Sequence, residues 1–296
     1  MYEQIARNKR KSFFLILFFA CLIFALAWIF GELTNLGPYG LVLAAVIAIA
    51  MTFGSYYSSD KIVLAISRAK PVEKKDYPHL YNVVEGLAIA AGLPKPRCYI
   101  IDDTAPNAFA SGRNPKNSVI VVTKGLLQKL SRAELEGVIA HEMSHIKNYD
   151  ILVQTLAVVM VGVVALLSDW ILRTFLWGGR RKRSDKGGGN AGAIIIVVGL
   201  VLAVLSPLIS QLIRLAVSRK REFLADADGA LITRYPPGLA SALKKLASDR
   251  EPLEAANKAT AHLYIVNPLK NIKGPVNKLF STHPPIEERV AALDKM

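Results

Sequence analysis

The amino-acid sequence predicts a mainly α-helical integral membrane protein that also contains a small β-sheet. Of its 296 residues, 52% are hydrophobic, and the mean hydropathy is +0.32. This composition is too apolar for an ordinary soluble protein of this length. Most of the apolar residues lie in four long runs, and short strand-like runs occur in a water-facing stretch between them. The four runs predict two hydrophobic hairpins.

The first two apolar runs predict a transmembrane hairpin over residues 1–57. Residues 13–30 form an uninterrupted apolar run that is long enough to span a bilayer. Basic residues precede it, as in a signal peptide, but no convincing cleavage site follows, and residues 38–57 form a second run. Basic residues also follow the second run. The positive-inside rule therefore places both ends of this hairpin in the cytoplasm.

A second hydrophobic hairpin is predicted over residues 151–217, from apolar runs at 151–177 and 191–217. The loop between these runs is strongly basic, which opposes the positive-inside rule if both runs span the membrane. The first hairpin usually sets the topology, so we favour four spans, with a shallow or re-entrant second hairpin as the alternative. Charged residues within these runs, Asp169 and Arg214, make a transporter or channel a less favoured alternative function.

The two water-facing stretches, residues 58–150 and 218–296, are expected to fold together as one domain. The second hairpin leaves the first stretch and returns at the start of the other, so it brings their ends together at the membrane surface. Local patterns predict helices at 74–91, 217–233, 237–249 and 284–294, strands at 98–101, 107–110 and 119–123, and a turn at Gly112 and Asn114-Pro115.

One short motif, the H-E-x-x-H sequence that His141 begins and His145 ends, points to specific chemistry. Residues four apart on a helix project from the same face, so both imidazoles can bind one metal ion. Glu142 lies beside that stripe, where its carboxylate can reach a water activated by the metal. Ser131 and Glu134 fit a capping box at the start of the helix. This helical context disfavours the alternative of two accidental histidines on a surface helix.

A catalytic zinc ion takes three protein ligands and a water, so a third ligand must come from elsewhere. A third His shortly after the motif is excluded, because Ile151 stands at its position. The candidates are Glu222, Asp226, His262 and His283. Glu222 is favoured because it shares a helical face with Asp226, so one carboxylate can bind metal while the other accepts an N–H of a ligating His. A solvated acidic face is the alternative interpretation.

These residues, together with two further motifs, resemble the membrane metalloproteases of the HtpX type, in the larger family that includes the CAAX prenyl proteases. The further motifs are Asn107-Ala-Phe-Ala-Ser-Gly112 and Thr282-His-Pro-Pro285. The order of the motifs among the hydrophobic segments matches the family over essentially the whole chain. The resemblance implies a zincin-like metalloprotease domain split by a transmembrane helical hairpin, with one zinc ion per chain.

The resemblance also implies a role for each candidate residue. It makes His141, His145 and Glu222 the zinc ligands and Glu142 the general base, and we expect Asp226 to hold a ligand His. The family assigns a substrate-binding sheet edge to Asn107, Ala108, Phe109 and Ala110, where an extended peptide adds as a strand. It assigns stabilisation of the oxyanion to His283. The alternatives are an ordinary edge strand and a His that only begins a helix.

The expected function is that of a membrane-bound zinc endopeptidase, which hydrolyses membrane or misfolded proteins at the cytoplasmic surface of the cell membrane for quality control. A CAAX-type processing protease of narrow specificity is the main alternative. The net charge of +14 comes without a nucleic-acid-binding motif. Much of it flanks the membrane segments, where it can meet anionic lipid. Protein substrates and the bilayer are therefore the expected partners, and the oligomeric state stays open.

Overall fold

The computed structural model describes residues 2–33, 37–163, 218–257, 259–268 and 284–296. Most of the predicted second hairpin, including Asp169 and Arg214, lies outside these residues, and so does His283. The described chain is mainly helical and has one small mixed sheet. This confirms the predicted balance of secondary structure.

Two long apolar helices begin the chain, α1 (Tyr2–Leu33) and α2 (Pro38–Tyr57), and they pack against each other. Each is long and apolar enough to cross a membrane, and the described residues contain one further candidate only if a bent helix pair is counted as a single span. Large apolar side chains such as Phe13 and Val42 are 61% and 65% exposed on these helices. Such an apolar surface suits contact with lipid better than with water.

Two hydrophobic clusters lie on opposite faces of the sheet in the rest of the described chain, and the larger one surrounds the H-E-x-x-H helix. The helices after α2 are α3 (Ser59–Ile66), α4 (Pro78–Ala91), α5 (Lys124–Lys129), α6 (Arg132–Lys147), α7 (Asp150–Val163), α8 (Arg219–Thr233), α9 (Pro236–Ser248) and α10 (Ile286–Leu293). Each predicted helix in the water-facing stretches is present. Helix α4 begins later than expected, because Pro78 occupies its first turn, where proline is favoured.

The sheet has four strands in the order β1-β2-β4-β3. They are β1 (Lys70–Pro71), β2 (Arg97–Ile101), β3 (Ala108–Asn114) and β4 (Asn117–Thr123). Strand β4 pairs in parallel with β2 and antiparallel with β3, so β3 is an edge strand. The turn predicted at Gly112 and Asn114-Pro115 is confirmed at Pro115 and wrong at Gly112, because β3 continues to Asn114 through a bulge between Gly112 and Asn114. Gly112 has φ +137, and a Cβ at this position would lie 2.2 Å from the Asn117 carbonyl oxygen. The bulge therefore requires glycine.

Helix α6 lies at the centre of the domain and packs against α4, α8, α9 and the sheet. Its contact with α9 is close because it has no side chain at Gly137. A Cβ at that position would lie 2.6 Å from the Leu239 backbone nitrogen and 2.8 Å from its Cα. The two backbones can therefore approach to this distance only with glycine at 137.

We expect Gly137→Ala to destabilise the protein even though alanine favours helices. The added methyl meets backbone rather than a movable side chain, so overpacking should cost about 3 kcal/mol, the upper end of the usual range. That exceeds the gain of about 1 kcal/mol from helix propensity. Gly86→Ala on α4 is the matched control, because nothing lies within 4 Å of its Cβ position. Denaturation in detergent should show lower stability for the first variant alone; equal stability would contradict this account.

A sharp bend separates α6 from α7. The two helices meet at 84°, and Tyr149 between them adopts a left-handed conformation with φ 58. Helix α7 then packs along α1, where Val153, Ala157 and Met160 share a buried cluster with Leu15, Phe19 and Ile23. The bend therefore turns the chain from the H-E-x-x-H helix onto the first apolar helix, α1.

Candidate metal centre

The start of α6 is fixed by hydrogen bonds, as the sequence predicts. The Ser131 hydroxyl accepts from the Glu134 amide at 3.4 Å, and a Glu134 carboxylate oxygen accepts from the Ser131 amide at 2.7 Å. Ser241 and Lys245 on α9 also donate to that carboxylate, at 2.6 and 2.7 Å. The capping box is therefore bonded to a second helix. These contacts fix the start of α6, and with it the positions of His141 and His145 along the helix.

Helix α8 approaches α6 closely at the first histidine. A Cβ built on Gly229 would lie 3.0 Å from the His141 backbone nitrogen, so a larger residue would push the helices apart. Glu222 lies two helical turns earlier on α8 and is buried. The close packing of α8 on α6 thereby brings its carboxylate to the two imidazoles.

The side chains of His141, His145 and Glu222 converge on one point. One ligand atom from each of these side chains lies within 4.8 Å of the other two, and this is the one such group of metal-ligand side chains among the described residues. The two Nε2 atoms are 3.2 Å apart. The Glu222 carboxylate oxygens lie 3.8 Å from Nε2 of His141 and 3.6 Å from Nε2 of His145.

The far side of the His141 ring is held by Asp226, one helical turn after Glu222. The Asp226 Oδ1 atom lies 2.9 Å from Nδ1 of His141. Arg289 on α10 grips the same carboxylate through two hydrogen bonds of 2.8 and 2.6 Å. Burial alone would raise the pKa of Asp226, but the Arg289 charge and hydrogen bonds hold this pKa below its usual value. Asp226 is therefore an ionised carboxylate that accepts a hydrogen bond from Nδ1–H of His141.

The His145 ring is held in the same manner by Asp150, which the sequence did not single out. The Asp150 Oδ2 atom lies 2.9 Å from Nδ1 of His145. Its other oxygen, Oδ1, accepts hydrogen bonds from Asn8 and Arg221. One signal was available: Asp150 is a carboxylate just beyond the end of α6, five residues after His145. Its partner Asn8 lies 142 residues away in sequence, so the fold alone brings them together.

The pattern of donors and acceptors fits a metal ion. Both Nδ1 atoms face carboxylates, so in the neutral imidazoles both Nε2 atoms present lone pairs. Two lone pairs 3.2 Å apart beside the Glu222 carboxylate make a set of three acceptors, an arrangement that a cation stabilises. Two His and one Glu are a known ligand set for catalytic zinc, in which a fourth position stays open.

The pKa values of His141 and Glu142 are shifted mainly by burial. Burial lowers the pKa of His141 to about 4, although its hydrogen bond to Asp226 acts in the opposite direction. The imidazole is therefore neutral at pH 7, as metal binding requires. Burial also raises the pKa of Glu142 to about 7, and the Glu222 carboxylate adds to this shift. A carboxyl group with such a pKa is suited to taking and returning a proton near neutral pH.

Strand β3 lies beside the motif. Ala108, Phe109 and Ala110 are buried and pair with β4, and Ala110 makes a backbone hydrogen bond to Glu142. The Asn107 side chain donates to the Val266 carbonyl at 2.9 Å. On the outer edge of β3, the Ala108 carbonyl accepts a hydrogen bond from the Ile265 amide at 3.0 Å.

The other candidates for the third ligand lie elsewhere or in other roles. Asp226 faces Nδ1 of His141 rather than the cluster of Nε2 atoms. His262 has its Nε2 atom 3.3 Å from the Gln154 carbonyl. His283 lies outside the described residues. Arg289 forms a buried ion pair with Asp226 and lies 3.7 Å from Glu222.

A buried H-E-x-x-H helix with a distant glutamate completing its metal-ligand set is typical of metalloproteases. The model of peptidase family M48 matches residues 74–296. This chain belongs to peptidase family M48 and is a metalloprotease.

Proteins that match this chain over nearly their full length are named as proteases. The protease HtpX homolog of Dictyoglomus turgidum is 49% identical over 295 residues, which cover 100% of this chain and 94% of the relative. The protease HtpX homolog of Thermoanaerobacter pseudethanolicus is 46% identical over 297 residues, covering 100% and 98%. The crystal structure of S. mikatae Ste24p is 22% identical with a TM-score of 0.44, and the match covers 91% of this chain and 67% of that chain.

Proposed function

We propose that this chain is a membrane-bound zinc endopeptidase that cleaves membrane or misfolded proteins at the cytoplasmic membrane surface. The observation that carries this proposal is the convergence of His141, His145 and Glu222 beside Glu142. Residues 58–150 and 218–296 form the catalytic domain, residues 1–57 the membrane hairpin, and residues 151–217 a second hydrophobic hairpin that divides the domain.

In this proposal, His141, His145 and Glu222 hold one zinc ion. The ion supplies Lewis acidity, which makes water more acidic and polarises the scissile carbonyl. Glu142 takes a proton from the attacking water and later delivers it to the departing amine. Its pKa of about 7 supports both steps near neutral pH. Asp226 and Asp150 keep the two imidazoles in the tautomer whose Nε2 atoms are free to bind metal.

Substrate binding is proposed at β3, the edge strand beside the motif, through Asn107, Ala108, Phe109 and Ala110. An extended peptide can pair with the backbone of an edge strand without regard to its sequence, which suits an enzyme that degrades many proteins. The hydrogen bond between Ile265 and Ala108 occupies part of this edge, so a bound peptide would have to displace it or pair beyond it. His283 is the proposed donor to the oxyanion.

Membrane attachment and orientation complete the proposal. The apolar surfaces of α1 and α2 support insertion in a bilayer, and the basic residues at 7–11 support a cytoplasmic N-terminus. The motif helix is joined by the 84° bend to α7, which packs on α1. This connection supports a site near the membrane surface, where loops of membrane proteins are within reach.

Removal of the metal is expected to abolish proteolysis reversibly. Detergent-purified protein is treated with a chelator, then assayed on casein and on a purified membrane protein before and after addition of zinc. Zinc should restore cleavage, whereas magnesium should not, because it favours oxygen ligands over imidazole. Full activity in protein shown to be metal-free would refute the proposed role of the metal. Restored cleavage of only one narrow class of peptide would favour a processing protease.

A further inference from the structure

We propose, on the basis of the zinc site proposed above, that Asn8 on the membrane helix α1 is a positioning residue for the metal centre. It acts through Asp150 on the ring of His145. The N-terminal helix would then do more than attach the enzyme to the bilayer, because its first turns would help to orient a metal ligand.

The contacts form a continuous chain from α1 to the cluster. The Asn8 side-chain NH2 donates to Oδ1 of Asp150 at 2.7 Å. The other carboxylate oxygen of Asp150 lies 2.9 Å from Nδ1 of His145, and Nε2 of His145 belongs to the ligand group. Arg221, next to Glu222 on α8, donates both to Asp150 and to the Asn8 side-chain oxygen.

The chemistry of this position calls for an amide. Asn8 is 1% exposed, and buried polar groups need hydrogen-bond partners. Its NH2 group serves two acceptors, Asp150 and the Asn148 carbonyl at 2.7 Å, while its oxygen accepts from Arg221. A carboxylate here would face the carboxylate of Asp150, and an apolar residue would leave Asp150 with one partner fewer. Only a side chain with both a donor and an acceptor satisfies both neighbours.

A second contact fixes α1 at the same place. The Lys9 ammonium lies 4.6 Å from the centre of the Tyr149 ring, the residue that makes the left-handed turn after α6. Two consecutive residues of α1 therefore contact residues 148–150, where the motif helix joins α7. Further along, α1 and α7 share a buried apolar cluster, so this contact is part of a continuous interface.

The position of Asn8 in the sequence does not explain its burial. It lies among the basic residues of 7–11, which are expected to meet lipid headgroups. Contact with headgroups explains exposed cations but does not explain a buried amide. The hydrogen bonds of Asn8 to Asp150 and Arg221 explain it.

The test measures zinc affinity of full-length, detergent-purified protein by competition with a chromophoric chelator. Asn8→Ala is compared with Ser12→Ala, one turn further along α1, where the hydroxyl is buried without a hydrogen-bond partner among the described residues. Asn8→Ala should weaken zinc binding by about tenfold, the lower end of the effect of residues that support metal ligands. Ser12→Ala should bind zinc as tightly as wild type, because the Ser12 hydroxyl makes no hydrogen bond to any described residue that supports a ligand.

A double-mutant cycle separates positioning from general stability. If Asn8 acts through Asp150, then Asn8→Ala should have no further effect on zinc affinity in protein that already carries Asp150→Ala, because coupled residues are not additive. The absorption spectrum of the cobalt-substituted enzyme should also change in Asn8→Ala and not in Ser12→Ala. If Asn8→Ala fails to fold, Asn8→Ser, which keeps one hydroxyl as donor and acceptor, is tested with an intermediate loss expected.

Three outcomes would overturn the inference. First, Asn8→Ala, or Asn8→Ser in its place, could have the zinc affinity and cobalt spectrum of wild type. That result would show that the amide does not position His145. Fully additive effects of Asn8→Ala and Asp150→Ala would show that it does not act through Asp150. A wild-type protein that binds no zinc would refute the proposed metal site as well, which distinguishes that failure from the other two.

Discussion

Glu142→Gln is expected to lower kcat by at least about 10²-fold, and up to about 10⁴-fold, the usual contribution of a general acid–base group. Glutamine has nearly the same shape as glutamate but cannot take a proton from water. The metal-ligand group does not include Glu142, so zinc binding should persist. Peptide hydrolysis and zinc content are measured on the same preparation.

Glu136→Gln is the matched control for this variant. The same substitution is made on the same helix, but Glu136 is partly exposed, and its one ion pair among the described residues is with Arg132, four residues earlier. Such surface ion pairs contribute little to stability, so turnover should be unchanged. Hydrolysis by Glu142→Gln at the rate of the Glu136→Gln control would rule out Glu142 as the base. Loss of zinc from Glu142→Gln would mean that its inactivity says nothing of proton transfer.

The second large effect is expected at the buried pair of Asp226 and Arg289. Arg289 is fully buried, and Asp226 receives two of its hydrogen bonds. Asp226→Ala leaves that charge without its partner, which should lower the free energy of unfolding by about 3–5 kcal/mol. The variant also removes the acceptor for Nδ1 of His141, so zinc affinity should fall by about 10–100-fold.

A double variant separates these two effects. Asp226→Leu combined with Arg289→Met replaces the ion pair by apolar side chains, a change that is often neutral for stability. The free energy of unfolding of the chelator-treated double variant should therefore be close to that of chelator-treated wild type. Its zinc affinity should stay low, because His141 still lacks its hydrogen-bond acceptor. If the double variant bound zinc as tightly as wild type, Asp226 would serve only the ion pair. Equal instability of the single and double variants would contradict the charge-burial explanation.

Much of the fold was predictable because its signals are local. The capping box of Ser131 and Glu134 predicted where α6 begins, and Gly92 predicted where α4 ends, in a left-handed cap. Apolar runs predicted α1 and α2. The two-residue strand β1 could not be predicted, because it exists only through its pairing with β2.

The metal-ligand residues of the candidate site were predictable from the sequence, but the contacts that Asp150 and Asn8 make were not. The spacing of His141 and His145 and that of Glu222 and Asp226 each follow the period of a helix, so both pairs could be recognised in the sequence. Asp150 and Asn8 belong to no such period. Their meeting depends on the turn at Tyr149 and on the packing of α1 along α7, which are tertiary features that no local pattern encodes. The roles of His283 and of β3 in catalysis stay predictions.

Because of the 84° bend after α6, the depth of α1 in a membrane and the orientation of the H-E-x-x-H helix can vary independently. Helix α7 follows α1, whereas α6 turns away nearly at a right angle. Biological membranes differ in thickness by several ångströms, and membrane helices adjust by changes in length or tilt. Residues added to the far end of α1 would change its reach without rotating α6. An insertion at residues 148–150 would rotate α6 directly, so variation in length should be tolerated at the first place and not at the second.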